Sequence, residues 1–197
     1  MEGTTMSGDA KPLRADARRN QVRVLEAAEV VLARDGLSAS MRAIAQQAGV
    51  GLGTIYRHFP TQEALYQAII IERMRRLIAE ADALGASDDP GAAFFLFLTR
   101  IVDNAKQKKA LADGLADAGV DHKTGLSGIR REMRDAIRAL LTRAQRSGTV
   151  RDDLDMPEVL ALLSAVCMAA ERNQWSAGLQ SSALALLFDG FRPHRER

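Results

Sequence analysis

The sequence predicts an all-α chain of 197 residues: a short N-terminal domain built around a helix-turn-helix, then a longer helical domain. Three observations predict it. Aromatic residues make up only 5% while Ala and Leu abound, a balance that favours helices over sheets. Apolar residues recur at three- and four-residue spacing, and no segment alternates apolar with polar as a half-buried strand would. Gly and Pro fall mostly where these periods end, and the stretch Gly85–Gly91 (GASDDPG) is the natural place to divide the chain.

Residues 1–16, rich in Gly, Thr, Ser and Asp, have little to bury and read as a disordered, partly basic tail. The first helix begins near Arg18, with Leu25, Ala28 and Leu32 as its stripe and Val24 and Val31 widening it. Gly36 stands where a left-handed residue ends a helix. Ser40 is a good N-cap for a short second helix, Met41–Gln47, which stops at Gly49. A third runs from Leu52 to His58 and stops at Pro60. Thr61 caps a long fourth helix to Leu84, with Glu63 favourably placed in its first turn. Domain limits follow: tail 1–16, helix-turn-helix domain 17–60, connecting helix 61–84, and a C-terminal domain 85–197.

Beyond the break only helical patterns remain. One spans Ala92–Lys108, a weaker one Ala110–Ala118, and a strong one Ser127–Arg146 on the stripe Ile129, Met133, Ile137, Leu140 and Ala144. Pro157 suits the first turn of the next, Glu158–Asn173, and a last covers Ser181–Phe188.

Composition excludes several classes. Between residues 11 and 60, eight Lys/Arg stand against four Asp/Glu, whereas from 61 onward there are nineteen of each. The basic excess therefore lies at the N-terminal end, where a polyanion would be engaged. A single cysteine, Cys167, rules out an internal disulfide framework and suits a reducing cytoplasm. The first ten residues lack the apolar core of a secretory signal. The runs Ala92–Leu98 and Val159–Ala170 are too short to cross a bilayer, so no membrane partner is expected. Catalysis finds little support: His58, His122 and His194 are far apart, no HExxH or paired Cys/His spacing suggests a metal, and Gly125–Ser127–Gly128 is no nucleophile elbow. Gly51-x-Gly53 follows a helix, so it is no dinucleotide fingerprint. Neither enzyme activity, metal nor cofactor is expected, and Cys167 reads as a structural thiol.

The informative segment is SMRAIAQQAGVGLGTIYRHF, Ser40–Phe59. Two short helices meeting steeply need a small residue at the closest approach, a Gly at the turn and a buried aliphatic after it. Ala45, Gly49 and Val50 supply these, and Ile44 and Ile55 face the first helix. An ordinary helical hairpin would share this spacing.

Extended to AIAQQAGVGLGTIYRHFPTQEAL, the run resembles the signature of the TetR family, matching in register at IA, AGV, GT, Y, HF and E-x-L. The resemblance covers about 60 residues after the tail. It implies an all-α homodimer with three DNA-binding helices, a connecting fourth, and a variable C-terminal ligand-binding and dimerisation domain. Most members are repressors that leave operator DNA when a small molecule binds. Two positions depart from the pattern. Gly51 stands where a capping Ser is usual, and Gln62 where a Lys, a phosphate contact, is usual.

Arg42 occupies the position of a base- or phosphate-contacting residue in the family, and its guanidinium can read guanine O6 and N7 together. Leu52 would touch a thymine methyl, while Thr54, Tyr56, Arg57 and His58 would hold phosphates and register. Backbone N–H groups at Ser40, Gly51 and Thr61 add phosphate sites. Two bland readings stay open: Arg57 as a solvated charge, and His58 packed on Phe59 or the fourth helix. Lys11, Arg14, Arg18 and Arg19 read as a loose basic tail or a minor-groove arm. A helical interaction module that no longer binds DNA is the alternative, and the retained Arg42, Thr54, Tyr56 and Arg57 argue against it.

The partners expected are thus double-stranded operator DNA, a second copy of the chain and a small-molecule effector. Val159–Ala170 contains no charge and Ala183–Phe188 is apolar all round, so these last two helices need cover on both sides, the outer from a partner subunit. A charge at Leu163 should then weaken dimerisation and DNA binding together. Candidate effector-pocket residues are Phe94, Phe95 and Phe97 after the break, Met133 and Ile137 on the long helix, and Met168 and Trp175 near the dimer helices. Asp103, Glu132 or His122 would supply polar selectivity.

Overall fold

The structure, a computed structural model, describes residues 10–117 and 126–193, with side chains from Asn20 onward apart from those of residues 37 and 106–117. Among the described residues there are eight α-helices, one 3-10 turn and no strand. The helices are α1 (Ala10–Asp35), α2 (Met41–Ala48), α3 (Leu52–His58), α4 (Gln62–Leu84), α5 (Pro90–Asp117), α6 (Ser127–Arg146), α7 (Met156–Arg172) and α8 (Ala177–Phe191), with the 3-10 turn at Gly36–Ser38. The chain divides into two compact units between Ile69 and Ile70, inside α4 and ahead of the Gly85–Gly91 break.

Besides shifts of one to three residues at ends of α2, α5, α7 and α8, three boundaries differ from expectation by more. Helix α1 starts at Ala10 rather than Arg18, because Ala, Lys, Leu and Arg are good helix formers and Pro12 sits in the first turn, where its missing N–H costs nothing. Residues 1–9 of the expected tail, together with His122 and His194, lie outside the described residues, as do the side chains of Lys11, Arg14, Arg18 and Arg19. The two helices expected on either side of residue 109 are one, α5, since the intervening Lys-Lys-Ala-Leu contains no breaker. Helix α8 starts four residues early because Ser176 caps it, accepting from the Leu179 N–H at 3.2 Å.

In the first unit α1 packs against α2, and α2 against α3. The core is Val24, Leu25, Ala28 and Val31 from α1, Ile44 and Ala45 from α2, Ile55 from α3, then Phe59, Leu65, Tyr66 and Ile69. In the second unit α5 packs against α6 and α7. Its core joins Phe94, Phe97, Leu98 and Val102 to Ile137, Leu140, Leu141 and Ala144 and to Val159, Leu163, Leu184 and Phe188. Three polar devices hold its loops. Arg143 donates to the Leu84 and Ser87 carbonyls (3.4 and 2.9 Å), and Gln145 Nε2 to that of Leu154 (2.8 Å). Asp155 and Glu158 form a reciprocal capping box at the start of α7.

Burial separates neighbours on the last two helices. Leu163 is a core residue, so a charge there would break the fold and not merely a dimer. The apolar side chains left outside are Leu162 and Met168 on α7 and Leu179 and Leu186 on α8, the last 75% exposed.

Candidate nucleic-acid interface and ligand cavity

Short helices hold their shape through their ends, and α2 shows how. Ser40 Oγ accepts from the Ala43 N–H at 3.1 Å. At the other end Gly49 adopts φ 65°, its N–H donates to the Gln46 carbonyl (3.2 Å), and the Val50 N–H donates to that of Ala45 (3.1 Å). This is a Schellman turn, and its left-handed residue makes Gly the natural choice there. A contribution with no local sequence signal completes the turn: Arg23 of α1 donates Nη2 to the Ala48 carbonyl, 3.0 Å away. One guanidinium from the supporting helix thus ties the C-terminal end of α2 to α1.

Helix α3 buries only Ile55. Tyr56 and Arg57 are exposed, with 47% of the Tyr56 surface open, and Leu52, Thr54 and His58 are half-buried. Gly51 provides no side-chain cap, in keeping with its departure from the usual Ser. On α2, Arg42 is exposed while Met41, Ile44, Ala45 and Ala48 face inward. The His58 ring lies 6.2 Å from that of Phe59, centroid to centroid. Thr61 caps α4, its Oγ1 accepting from the Ala64 N–H at 3.2 Å. Hydrogen bonds from its own backbone N–H and from Thr61 hold the Glu63 carboxyl below the usual carboxylate range.

Gln62 shows what replaces the usual Lys. Its Nε2 donates to the Ala39 carbonyl (3.0 Å) and to the Tyr66 hydroxyl, tying the start of α4 to the loop that precedes α2. Burial pushes the Tyr66 phenol above its ordinary range, partly offset by that Gln62 bond.

The second unit contains a cavity of about 470 Å³. Ile70, Met74 and Leu77 of α4 line it, with Ile101, Met133, Ile137, Leu160, Leu163 and Met168 from α5, α6 and α7. Arg73, Asn104, Arg130, Ser164, Cys167 and Glu171 add polar groups. It brings together Met133, Ile137 and Met168 of the residues expected from sequence. Phe94 and Phe97 are fully buried in the core instead. Phe95 packs 4.7 Å from Phe188, with the Arg192 guanidinium 5.2 Å over its ring. Trp175 packs against the same core and does not line the cavity. The contribution of α4 to the walls went unseen in the sequence, because its period marks an apolar face without saying which neighbour leaves it uncovered.

Two family models match the chain. Residues 24–69 match bacterial regulatory proteins of the tetR family, and residues 89–193 match the C-terminal domain of SbtR-like transcriptional regulators. The HTH-type transcriptional regulator UidR of Escherichia coli is 38% identical over 68 residues, 34% of this chain and 35% of UidR. The HTH-type transcriptional repressor KstR of Mycolicibacterium smegmatis is 27% identical over 117 residues, 53% of this chain and 57% of KstR. The chain thus spans about a third to somewhat over half of these curated relatives. Among solved structures, a TetR transcription regulatory protein from Mycobacterium vanbaalenii is 38% identical with TM-score 0.75, covering 92% of this chain and 100% of that one. The TetR regulator SCO0520 of Streptomyces coelicolor is 31% identical with TM-score 0.74, over 88% of this chain and 98% of its own. With both units matched and that similarity extending over nearly the whole chain, this protein belongs to the TetR family of bacterial transcriptional regulators.

Proposed function

We propose that this regulator is a cytoplasmic homodimeric repressor that binds a two-fold-related operator and leaves it when an apolar small molecule fills the 470 Å³ cavity. It works by binding, with no catalytic step. The observation that carries the reading is the capped α2–turn–α3 unit, which buries Ile44 and Ile55 and leaves Arg42, Tyr56 and Arg57 exposed. A helix in the major groove needs such a face: polar and aromatic groups outside, one anchor inside. The repressor sense follows the naming of KstR.

Functionally the chain divides as helix-turn-helix domain 17–60, connecting helix 61–84 and effector and dimerisation domain 85–197. Leu162 on α7 and Leu179 and Leu186 on α8 would supply the dimer contact, since exposed large apolar side chains on charge-poor helices favour cover by a second copy. Two-fold symmetry would then set recognition helices about 34–36 Å apart, in successive major grooves. Among the described residues no helix is long and apolar enough to cross a membrane. Helix α4 is a natural lever, because Leu65, Tyr66 and Ile69 belong to the first unit's core while Ile70, Met74 and Leu77 line the cavity. A ligand need only prefer a spacing of the two heads that misfits the grooves, and the coupling must be reciprocal.

The test is a gel shift on DNA flanking the protein's own gene, titrated with salt and then with a library of apolar ligands. Saturable binding with a steep salt dependence and release by a ligand support the proposal. Binding equally tight to scrambled DNA refutes sequence-specific recognition.

A further inference from the structure

Helix α2 carries the exposed Arg42, and each of its ends is held by a side chain from another helix. At the N-terminal end Gln62, the first residue of α4, donates Nε2 to the Ala39 carbonyl (3.0 Å), just ahead of the Ser40 cap. At the C-terminal end Arg23 of α1 donates Nη2 to the Ala48 carbonyl (3.0 Å), one of the carbonyls that a helix end leaves without a partner of its own. Ala39 and Ala48 are both buried residues. Ser40 and Gly49 fix the shape of α2 through bonds within the helix and its turn, which do not set where it lies. Its inward face of Met41, Ile44, Ala45 and Ala48 is apolar, and apolar contact is non-directional. The bonds from Arg23 and Gln62 are directional, so they fix position.

Small displacements matter at this scale. Helix α2 has eight residues. It is therefore about 12 Å long, and a tilt of about 5° about one end moves the other by about 1 Å. The distance window of a hydrogen bond is only about 0.5 Å wide. Gln62 itself has nothing left to give a phosphate, because its two N–H groups are engaged by the Ala39 carbonyl and the Tyr66 hydroxyl and its remaining polar atom is an acceptor. We propose that Arg23 and Gln62 are positioning residues for operator recognition, holding the two ends of α2 so that Arg42 meets its base edge. This role rests on the DNA-binding reading above and assigns part of its specificity to two side chains that touch no base.

The experiment uses full-length protein and two variants, Arg23→Met and Gln62→Met, which keep an unbranched apolar stem and remove the donors. Fluorescence anisotropy measures binding to the operator duplex found by the gel shift and to a scrambled duplex of the same composition, each over a salt series. Measurements are made at a temperature where circular dichroism shows the variants folded. Each variant should bind the operator about fivefold or more weakly, the lower end of what one base contact supplies. Affinity for scrambled DNA and the salt slope should stay at the parent's values. In an Arg42→Ala background either change should cost no more than about twofold further, since there is no base contact left to misplace. Should Gln62→Met unfold the chain, Arg23→Met decides alone, because Arg23 is exposed and its replacement leaves the core intact. An unchanged operator-to-scrambled ratio in the folded variants, even with a lower denaturation midpoint, means a purely structural tie and overturns the proposal. So does a salt slope reduced by about one, which means direct phosphate contact, or full additivity with Arg42→Ala. A parent that does not discriminate operator from scrambled DNA instead refutes the DNA-binding reading, and the proposal falls with it.

Discussion

Gln62→Ala tests how the start of α4 is held to the loop before α2. The substitution removes a donor that bonds both the Ala39 carbonyl and the Tyr66 hydroxyl, and both residues are buried, at 2% and 4% exposure. Each bond is worth about 0.5–1.5 kcal/mol net, so losing both should cost roughly 1–3 kcal/mol. Ala is itself an excellent helix former, so no propensity penalty adds to this. Native-state amide exchange on the full chain localises the effect. Amides of α2 and the first turns of α4 should exchange roughly 5- to 150-fold faster, while those of α6 and α8 keep their protection. Tyr66→Phe removes one of the two acceptors and should cost less. The double variant should cost less than the sum, since the two side chains share a bond. Unchanged protection in Gln62→Ala, or strict additivity with Tyr66→Phe, would refute the assignment of Gln62 as a structural tie.

Four further outcomes follow from the same geometry. Raised by burial, the Tyr66 phenol contributes stability that is complete below its ordinary pKa near 10 and is lost as pH rises through the higher folded value. Denaturation midpoints should therefore fall in that alkaline window, and less so in Tyr66→Phe. Arg42→Ala should cost about 1–3 kcal/mol of operator affinity and relax base preference at one pair per half-site, whereas Arg57→Ala should weaken all sequences and flatten the salt slope by about one. Unchanged base preference in Arg42→Ala would mean that Arg42 only positions the helix. Leu186→Arg, at a 75% exposed site, should shift sedimentation toward monomer and weaken DNA binding while leaving helicity intact. Gly91→Ala would place a methyl 2.1 Å from Thr149 Cγ2 and should lower stability by ~1–3 kcal/mol, with recovery in the Gly91→Ala, Thr149→Gly pair.

Much was legible without coordinates because it is local. Ser40, Gly49 and Thr61 announce caps and turns by residue type, and the period of α6 announces its buried stripe. The whole run from Ala43 to Leu65 carries the family's tokens in order, so the helix-turn-helix and its exposed Arg42, Tyr56 and Arg57 were readable. Tertiary structure decided what depends on a distant neighbour. Arg23 reaches α2 across 25 positions and Gln180 reaches Asp103 across 77, spacings that no local pattern encodes. Phe94 and Phe97 look like pocket walls in sequence, yet they fill the core, while Ile70, Met74 and Leu77 line the cavity. Adjacent Leu162 and Leu163 are equally apolar, and only the packing of α7 against its neighbours puts one outside and the other inside. The sequence by itself determined where α3, α4 and α6 start and stop, since backbone propensity and capping act within a few residues. Which face of each helix is covered, and by whom, is settled by side-chain packing between segments far apart in the chain, and that only the tertiary structure decided.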